Sequence, residues 1–243
     1  MAAARFVAEQ TRENREVKFG TFGGVFTPSV LTIIGVVLFL RTGWMVGQGG
    51  LLGALVIIVL AHLVTVATGL SLSSISTNIS LGAGGAYAII ARSLGLEVGG
   101  AIGIPLYLSQ TISTAFYIAG FTEAWIALCE ATGMPLPADP RMVSVILWFV
   151  LSVLAYIGAD YAIKVQYVIM AAIAVSIASF LLGRPVAGGG AEVPLWGFDR
   201  GQSFFDIFKI FFPAVTGILA GVSMSGDLRD PKKSIPGGTM WAV

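Results

Sequence analysis

Cysteine and histidine are almost absent from this chain. The single cysteine, Cys129, excludes an internal disulfide and a thiolate metal cluster. With a single histidine, His62, His-based zinc sites and Ser-His-Asp chemistry are hard to build. Charge is scarce too: 11% of residues are Asp, Glu, Lys or Arg, against about 25% in an ordinary soluble domain. A net charge of +1 supplies no field for a polyanion, so no nucleic-acid partner is expected. No HExxH or GxSxG motif and no pair of carboxylates within the apolar runs is present, so the chain is not read as an enzyme. Residues 1–24 carry Arg5, Glu9, Arg12, Glu13, Arg15, Glu16 and Lys18 without an apolar core, which fits a solvated tail and not a cleaved secretion signal.

What is plentiful is apolar side chain. Of 243 residues 56% are hydrophobic, and the mean hydropathy is +0.88. A membrane crossing needs about 20 apolar residues. Six runs qualify or nearly so: Val25–Gly47, Leu51–Leu72, a stretch within Val98–Cys129, Met142–Ile157, Ala162–Leu182 and Phe204–Met224. A further apolar stretch opens at Thr239, and a chain stopping at Val243 is expected to be a fragment of a longer protein. The expectation is an all-α, multi-pass membrane protein, with a tail over 1–24 and a transmembrane domain over 25–243.

Orientation follows the distribution of Lys and Arg. With the amino terminus inside, Arg5, Arg12, Arg15, Lys18, Arg92, Lys164, Arg229, Lys232 and Lys233 share the cytoplasmic side. Arg41, Arg141, Arg184, Arg200 and Lys209 lie on the other. The external segments Thr132–Pro140 and Gly183–Gly201 have strong turn chemistry, the latter through Gly188-Gly189-Gly190. The internal segment Asn78–Gly95 reads as a Gly-rich bend and a short interfacial helix near Tyr87–Arg92. Asn78-Ile79-Ser80 spells a glycosylation sequon, but on the cytoplasmic side it has no meaning.

Two runs carry helix breakers at mid-depth. The first has Pro28, Thr32 and Gly35; the sixth has Pro213, Thr216 and Gly217. In lipid, freed backbone groups survive only where protein buries them or a cavity receives them. One such run is as readily a packing kink. Two, at the first and sixth positions, point to a five-plus-five inverted-repeat transporter with spans 1 and 6 discontinuous. A half-helix that begins at a break offers N–H groups to an anion, and one that ends there offers carbonyls to a bare cation. Neither break contains Asp or Glu. A cation there would rest on neutral oxygens, and a nearby anion would offset its charge; at ~4 Å the attraction is on the order of 4 kcal/mol at an effective dielectric of 20. The residues alone therefore suggest joint binding of a cation and an anion.

The same residues resemble the cation-chloride cotransporter family of the amino acid–polyamine–organocation superfamily. The resemblance is carried by Ile210-Phe211-Phe212-Pro213-Ala214-Val215-Thr216-Gly217-Ile218-Leu219-Ala220-Gly221, by Ser225–Pro231 and Ile235–Thr239, by Gly35–Arg41 with Trp44, Gly47 and Gln48, and by Ser74–Asn78 with Gly84–Tyr87 and Ile90–Gly95. It extends from about Lys18 to the end and implies a leucine-transporter-type fold of twelve spans, of which this chain would hold six. The family would place potassium on the backbone oxygens of Thr32 and Ile33, the hydroxyls of Tyr117 and Thr216 and the carbonyl of Pro213. One chloride would take the N–H groups of Gly35, Val36 and Val37, and a second those of Gly217, Ile218 and Leu219. Arg41 and Glu123 match an external gate pair. Thr32 and Ile34 stand where family members often have Asn and Trp, and sodium remains a further candidate ion.

The expected function is secondary active symport of potassium with chloride by alternating access in a plasma (inner) membrane, with no prosthetic group. Expected partners are these ions, the lipid bilayer, the missing carboxyl-terminal half and, as a candidate, a second copy in a homodimer. The alternative is an amino acid permease of the same superfamily, whose span 1 N–H groups would hold a substrate carboxylate. Among lesser features, Asp206 and Lys209 suit a local pair, His62 a hydrogen-bonded interior position, and Cys129 an inert one.

Overall fold

The computed structural model describes residues 18–79, 83–133, 139–183, 194–198 and 201–243. The charged tail through residue 17, Ser80, Gly82, the turn residues 134–138 and the Gly188–Gly190 run lie outside the described residues. Apolar runs in water-free surroundings must satisfy their backbone internally, and the described chain is accordingly helical. A single parallel bridge between Phe19 and Leu228 is its only strand-like pairing.

A π-helical turn, Phe22–Phe26, leads directly into α1 (Thr27–Ile33), so Pro28, expected from the sequence to mark a break, lies within continuous helix just after that wider turn. After a break at Ile34 and Gly35 comes α2 (Val36–Asn78). Among the described residues four helical stretches are long and apolar enough to cross a membrane: Phe22–Asn78, Leu96–Thr132, Pro140–Ile157 and Tyr161–Leu182. The first has 57 residues, about 85 Å of helix at 1.5 Å per residue, nearly three hydrocarbon thicknesses. It is not one rod. Besides the gap at Ile34–Gly35 it changes direction at Gly50, whose φ of 72° and ψ of 172° only glycine adopts readily. Two arms of α2 meet there, 36–49 and 51–78.

The remaining helices are α3 (Gly85–Leu94), α4 (Leu96–Thr132), α5 (Pro140–Ile157), α6 (Ala159–Leu182), α7 (Phe204–Phe211), α8 (Leu219–Ser223) and α9 (Pro231–Ala242). Asp139 caps α5 by accepting from the Arg141 N–H at 2.9 Å. Ser203 and Asp206 form a capping box at the start of α7, and Lys209 Nζ sits 2.5 Å from Asp206 Oδ1. α9 starts eight residues ahead of the apolar stretch expected from Thr239. Pro231 sets its first turn, and the polar Lys232, Lys233 and Ser234 that follow hide the helix from any reading of hydropathy.

Two cores hold the bundle. One joins Val37, Met45, Ala54, Ile57 and Ala61 of α2 to Ile207 and Phe211 of α7 and to Ala214 and Val215 beyond it. The other joins Val25, Leu72, Ile89, Val222, Leu228 and Ile235. Along the second arm of α2 the buried positions Gly53, Ile57, Ala61, Thr65, Gly69, Leu72 and Ser76 recur every three or four residues, a stripe of mostly small side chains that lets helices approach. Its other face, with Leu55, Val59 and Leu63, is exposed, and α6 buries none of its most apolar window. Apolar surface on that scale is what a bilayer covers.

Candidate functional site

The first break follows from local sequence. In a continuous helix the carbonyls of Leu31, Thr32 and Ile33 would accept from residues 35–37. Ile34 leaves the helix with φ −80° and ψ 53°, after its N–H bonds Val30 O at 2.7 Å. Gly35 is extended at φ −94° and ψ −170° and starts α2 with no side-chain cap. A Cβ on Gly35 would lie 2.9 Å from Thr32 O, so the chain turns back on itself more tightly than a side chain permits. The outcome is a set of carbonyls at the end of α1 and a set of N–H groups at Gly35, Val36 and Val37, both without helical partners.

The second break has the same logic with different details. After α7 the chain tightens into a 3₁₀ turn, Phe212–Val215, with Pro213 in its first positions. Thr216 is extended at φ −89° and ψ 176°, and Gly217 has φ 110°. The Thr216 N–H and hydroxyl both donate to Pro213 O, at 3.3 and 2.8 Å. A Cβ on Gly217 would strike the side chain of Thr32, 2.8 Å from its Cβ. The two breaks are thus in direct contact.

Between them and α4 lies a cavity of about 240 Å³. It is lined by Thr32, Ile33, Gly35, Val36, Val37, Ile112, Ser113, Phe116, Tyr117, Pro213, Ala214 and Thr216. All five residues expected at a cation site and all three expected at the first chloride site therefore line one space, and none of the lining residues is acidic. α4 reaches this space because Gly120 lets it close on Val36, whose Cγ1 would stand 2.8 Å from a Cβ there. Thr32 Oγ1 donates to Pro28 O at 2.7 Å, as Thr216 does to Pro213 O. A hydroxyl whose proton is so engaged keeps its lone pairs for a cation. Pro213 O, in contrast, already accepts two bonds from Thr216.

The second expected chloride set behaves differently. Gly217, Ile218 and Leu219 do not line this cavity. Gly217 O accepts from Ala220 N at 3.0 Å, and Leu219 faces a separate cavity of about 260 Å³ bounded by Gly84, Gly85, Ala86, Gly103, Leu106, Tyr107, Gln110 and Ser223. Arg41 and Glu123, beyond Val37 and Tyr117 along their parallel helices, form an ion pair of 3.0 Å with both side chains about half exposed. His62 Nδ1 lies 2.9 Å from Ile58 O, one turn back on its own helix. Cys129 is buried. Among the described residues no group of three His, Cys, Asp or Glu is placed to hold a metal ion.

Two polar residues near the breaks escaped the sequence reading. Ser113 lines the cavity one turn before Tyr117 on α4, and that four-residue spacing was the available signal. Thr65 is buried in α2 and its hydroxyl reaches Val215 O at 3.0 Å. Only its place on the buried stripe marks it in sequence.

Residues 24–243 match the family model described as amino acid permease. The chain is 37% identical over 261 residues to solute carrier family 12 member 1 of Oryctolagus cuniculus, an alignment covering 97% of this chain and 24% of that protein. It is 37% identical over 254 residues to solute carrier family 12 member 2 of Mus musculus, covering 98% and 21%. With solute carrier family 12 member 3 of Mus musculus the identity is 38% over 265 residues, covering 98% and 26%. The chain spans about a quarter of the length of these curated relatives.

Proposed function

The chain belongs to the amino acid permease family of membrane transporters, and on that premise we propose that it supplies the ion site of a symporter moving a potassium-like cation together with chloride. The observation that carries this reading is the cavity where two broken helices meet, lined by Thr32, Ile33, Gly35, Val36, Val37, Tyr117, Pro213 and Thr216 and by no acidic residue. A cation bound there would take the carbonyls of Thr32 and Ile33 with the hydroxyls of Tyr117 and Thr216. Its use of Pro213 O requires sharing that carbonyl with Thr216. A chloride on the N–H groups of Gly35, Val36 and Val37 would neutralise it within a few ångströms, and neither charge is tolerable alone at membrane depth. Similarity to solute carrier family 12, the cation-chloride cotransporters, supports the same reading.

In this reading the arms 22–49 and 51–78, the helices α4, α5 and α6, and the broken stretch 204–224 make six crossings, with α9 opening a seventh. They form the first five spans and the sixth of an inverted repeat, with the amino terminus cytoplasmic. Transport alternates access to the cavity, driven by ion gradients with no prosthetic group. The second chloride belongs to Gly217, Ile218 and Leu219, on the far side of the break.

The family description itself favours one other reading, an amino acid permease, in which a substrate carboxylate takes the N–H groups at Gly35–Val37. The two are separated by uptake of radioactive rubidium in cells expressing the native gene. Symport predicts uptake that collapses when chloride is replaced by gluconate and is indifferent to added amino acids. Uptake independent of chloride overturns the symport reading, and chloride-insensitive uptake of an amino acid establishes the alternative.

A further inference from the structure

We infer that Thr65 is a positioning residue of the cation site, acting through the carbonyl of Val215; this deepens the symport reading and rests on it. The break in the 204–224 stretch deprives Val215 O of its helical donor, which would have been the N–H of Leu219. Thr65 Oγ1 supplies the replacement at 3.0 Å from an element 150 residues away in sequence. The same hydroxyl lies 3.1 Å from Ala61 O, but that carbonyl sits inside a continuous helix and has a backbone donor of its own. The proton is therefore needed at Val215 O. Both ends of the bond are buried, Thr65 at 5% exposure and Val215 at 2%.

The effect on the site follows from peptide geometry. In a planar trans peptide the C=O and the next N–H point in opposite directions. Fixing Val215 O toward α2 turns the Thr216 N–H the other way, toward Pro213 O. That in turn holds Thr216 at the cavity wall with its hydroxyl proton on Pro213 O and its lone pairs free. Thr65 also stands at the right level: Ala61, one turn before it, belongs to one core, and Leu72, two turns after it, to the other, with the breaks between them. It touches neither the cavity nor an ion.

The test is rubidium uptake against rubidium and against chloride concentration in the protein expressed from its native gene, at equal amounts in the membrane. Thr65→Val keeps the shape and removes the proton, leaving Val215 O buried without a donor. It is expected to raise KM for rubidium, measured at saturating chloride, about fivefold, while KM for chloride, measured at saturating rubidium, changes less than about twofold. Thr65→Ser keeps the hydroxyl and is expected to stay within about twofold of the parent for both ions. If Thr65→Val does not reach the membrane, Thr65→Cys, a weaker donor, replaces it with the same direction expected. A parental KM for rubidium in the donor-poor variant overturns the inference, as does a rise in Thr65→Ser equal to that in Thr65→Val. Failure of the parent itself to take up rubidium with chloride overturns the symport reading and this inference together, which separates the two failures.

Discussion

Gly217 shows at the residue scale how much a single hydrogen can matter. Its φ of 110° lies where side chains are strained, and the space a methyl would need is filled by Thr32 of the other break. Strain of this kind costs on the order of 1–3 kcal/mol, and the displaced Thr32 would carry its carbonyl with it. Gly217→Ala is expected to cut chloride-dependent rubidium uptake more than about tenfold at unchanged membrane abundance. Uptake and surface labelling measured on the same cells check this. The breakers Pro213, Gly217 and Gly35 were legible in sequence because proline cannot donate a helical hydrogen bond and glycine permits backbone that other residues resist. Ser113 had only its spacing from Tyr117 to mark it and Thr65 only its place on the buried stripe, because a hydroxyl acquires its meaning from the carbonyl or cavity that tertiary structure sets opposite it.

Elements join where backbone groups on one are left for another to satisfy. At Gly50 the second arm of α2 begins with N–H groups that have no helical acceptor. The segment 194–198 provides acceptors: Leu51 N donates to Pro194 O at 3.0 Å and Leu52 N to Leu195 O at 2.9 Å, while Gly197 N returns a bond to Gly49 O at 3.1 Å. The Phe198 ring lies against Gly49 and Gly53 and meets Phe204 at a tilt, and stacked rings run on from Phe204 through Phe208 to Phe212, beside Pro213. A Cβ on Gly50 would stand 2.7 Å from Pro194 O and 2.9 Å from Gly197 N. Gly50→Ala is therefore expected to destabilise the protein by about 1–3 kcal/mol, read as a lower thermal midpoint in detergent. In sequence Gly49-Gly50 shows only as a gap between two apolar runs. The partner of that gap lies more than 140 residues away, and local pattern cannot reveal it.

At the scale of the whole molecule the breaks lie between two cores, each tied by its own clasp. Opposite the 194–198 clasp, Phe19 N donates to Asp227 O at 2.8 Å and Arg229 N to Phe19 O at 3.0 Å, with the Arg229 guanidinium on Lys18 O. The Arg41–Glu123 pair bridges α2 and α4 beyond the cavity. Half-exposed, it contributes at most about 1 kcal/mol to static stability, so the gate role expected from the resemblance is tested by transport and not by stability. Arg41→Glu and Glu123→Arg are each expected to depress rubidium uptake, and the double swap to restore most of it. Double-swap activity no better than either single variant excludes the gate role.

Composition and the lengths of the apolar runs pointed to a helical membrane chain, since 56% hydrophobic and 11% charged residues suit a bilayer and runs of about 20 residues suit helices. Gly35, Pro213 and Gly217 mark in sequence where two of those helices break, whereas Pro28, Pro105 and Pro236 lie within helices that continue past them. Only the tertiary structure decided that the breaks touch and that α4 closes a cavity over them. It also decided that Gly217, Ile218 and Leu219 do not line that cavity and that Thr65 holds the carbonyl of Val215 beside it. These outcomes depend on which unsatisfied backbone group meets which donor across the fold, and such meetings have no signature within a single stretch of chain.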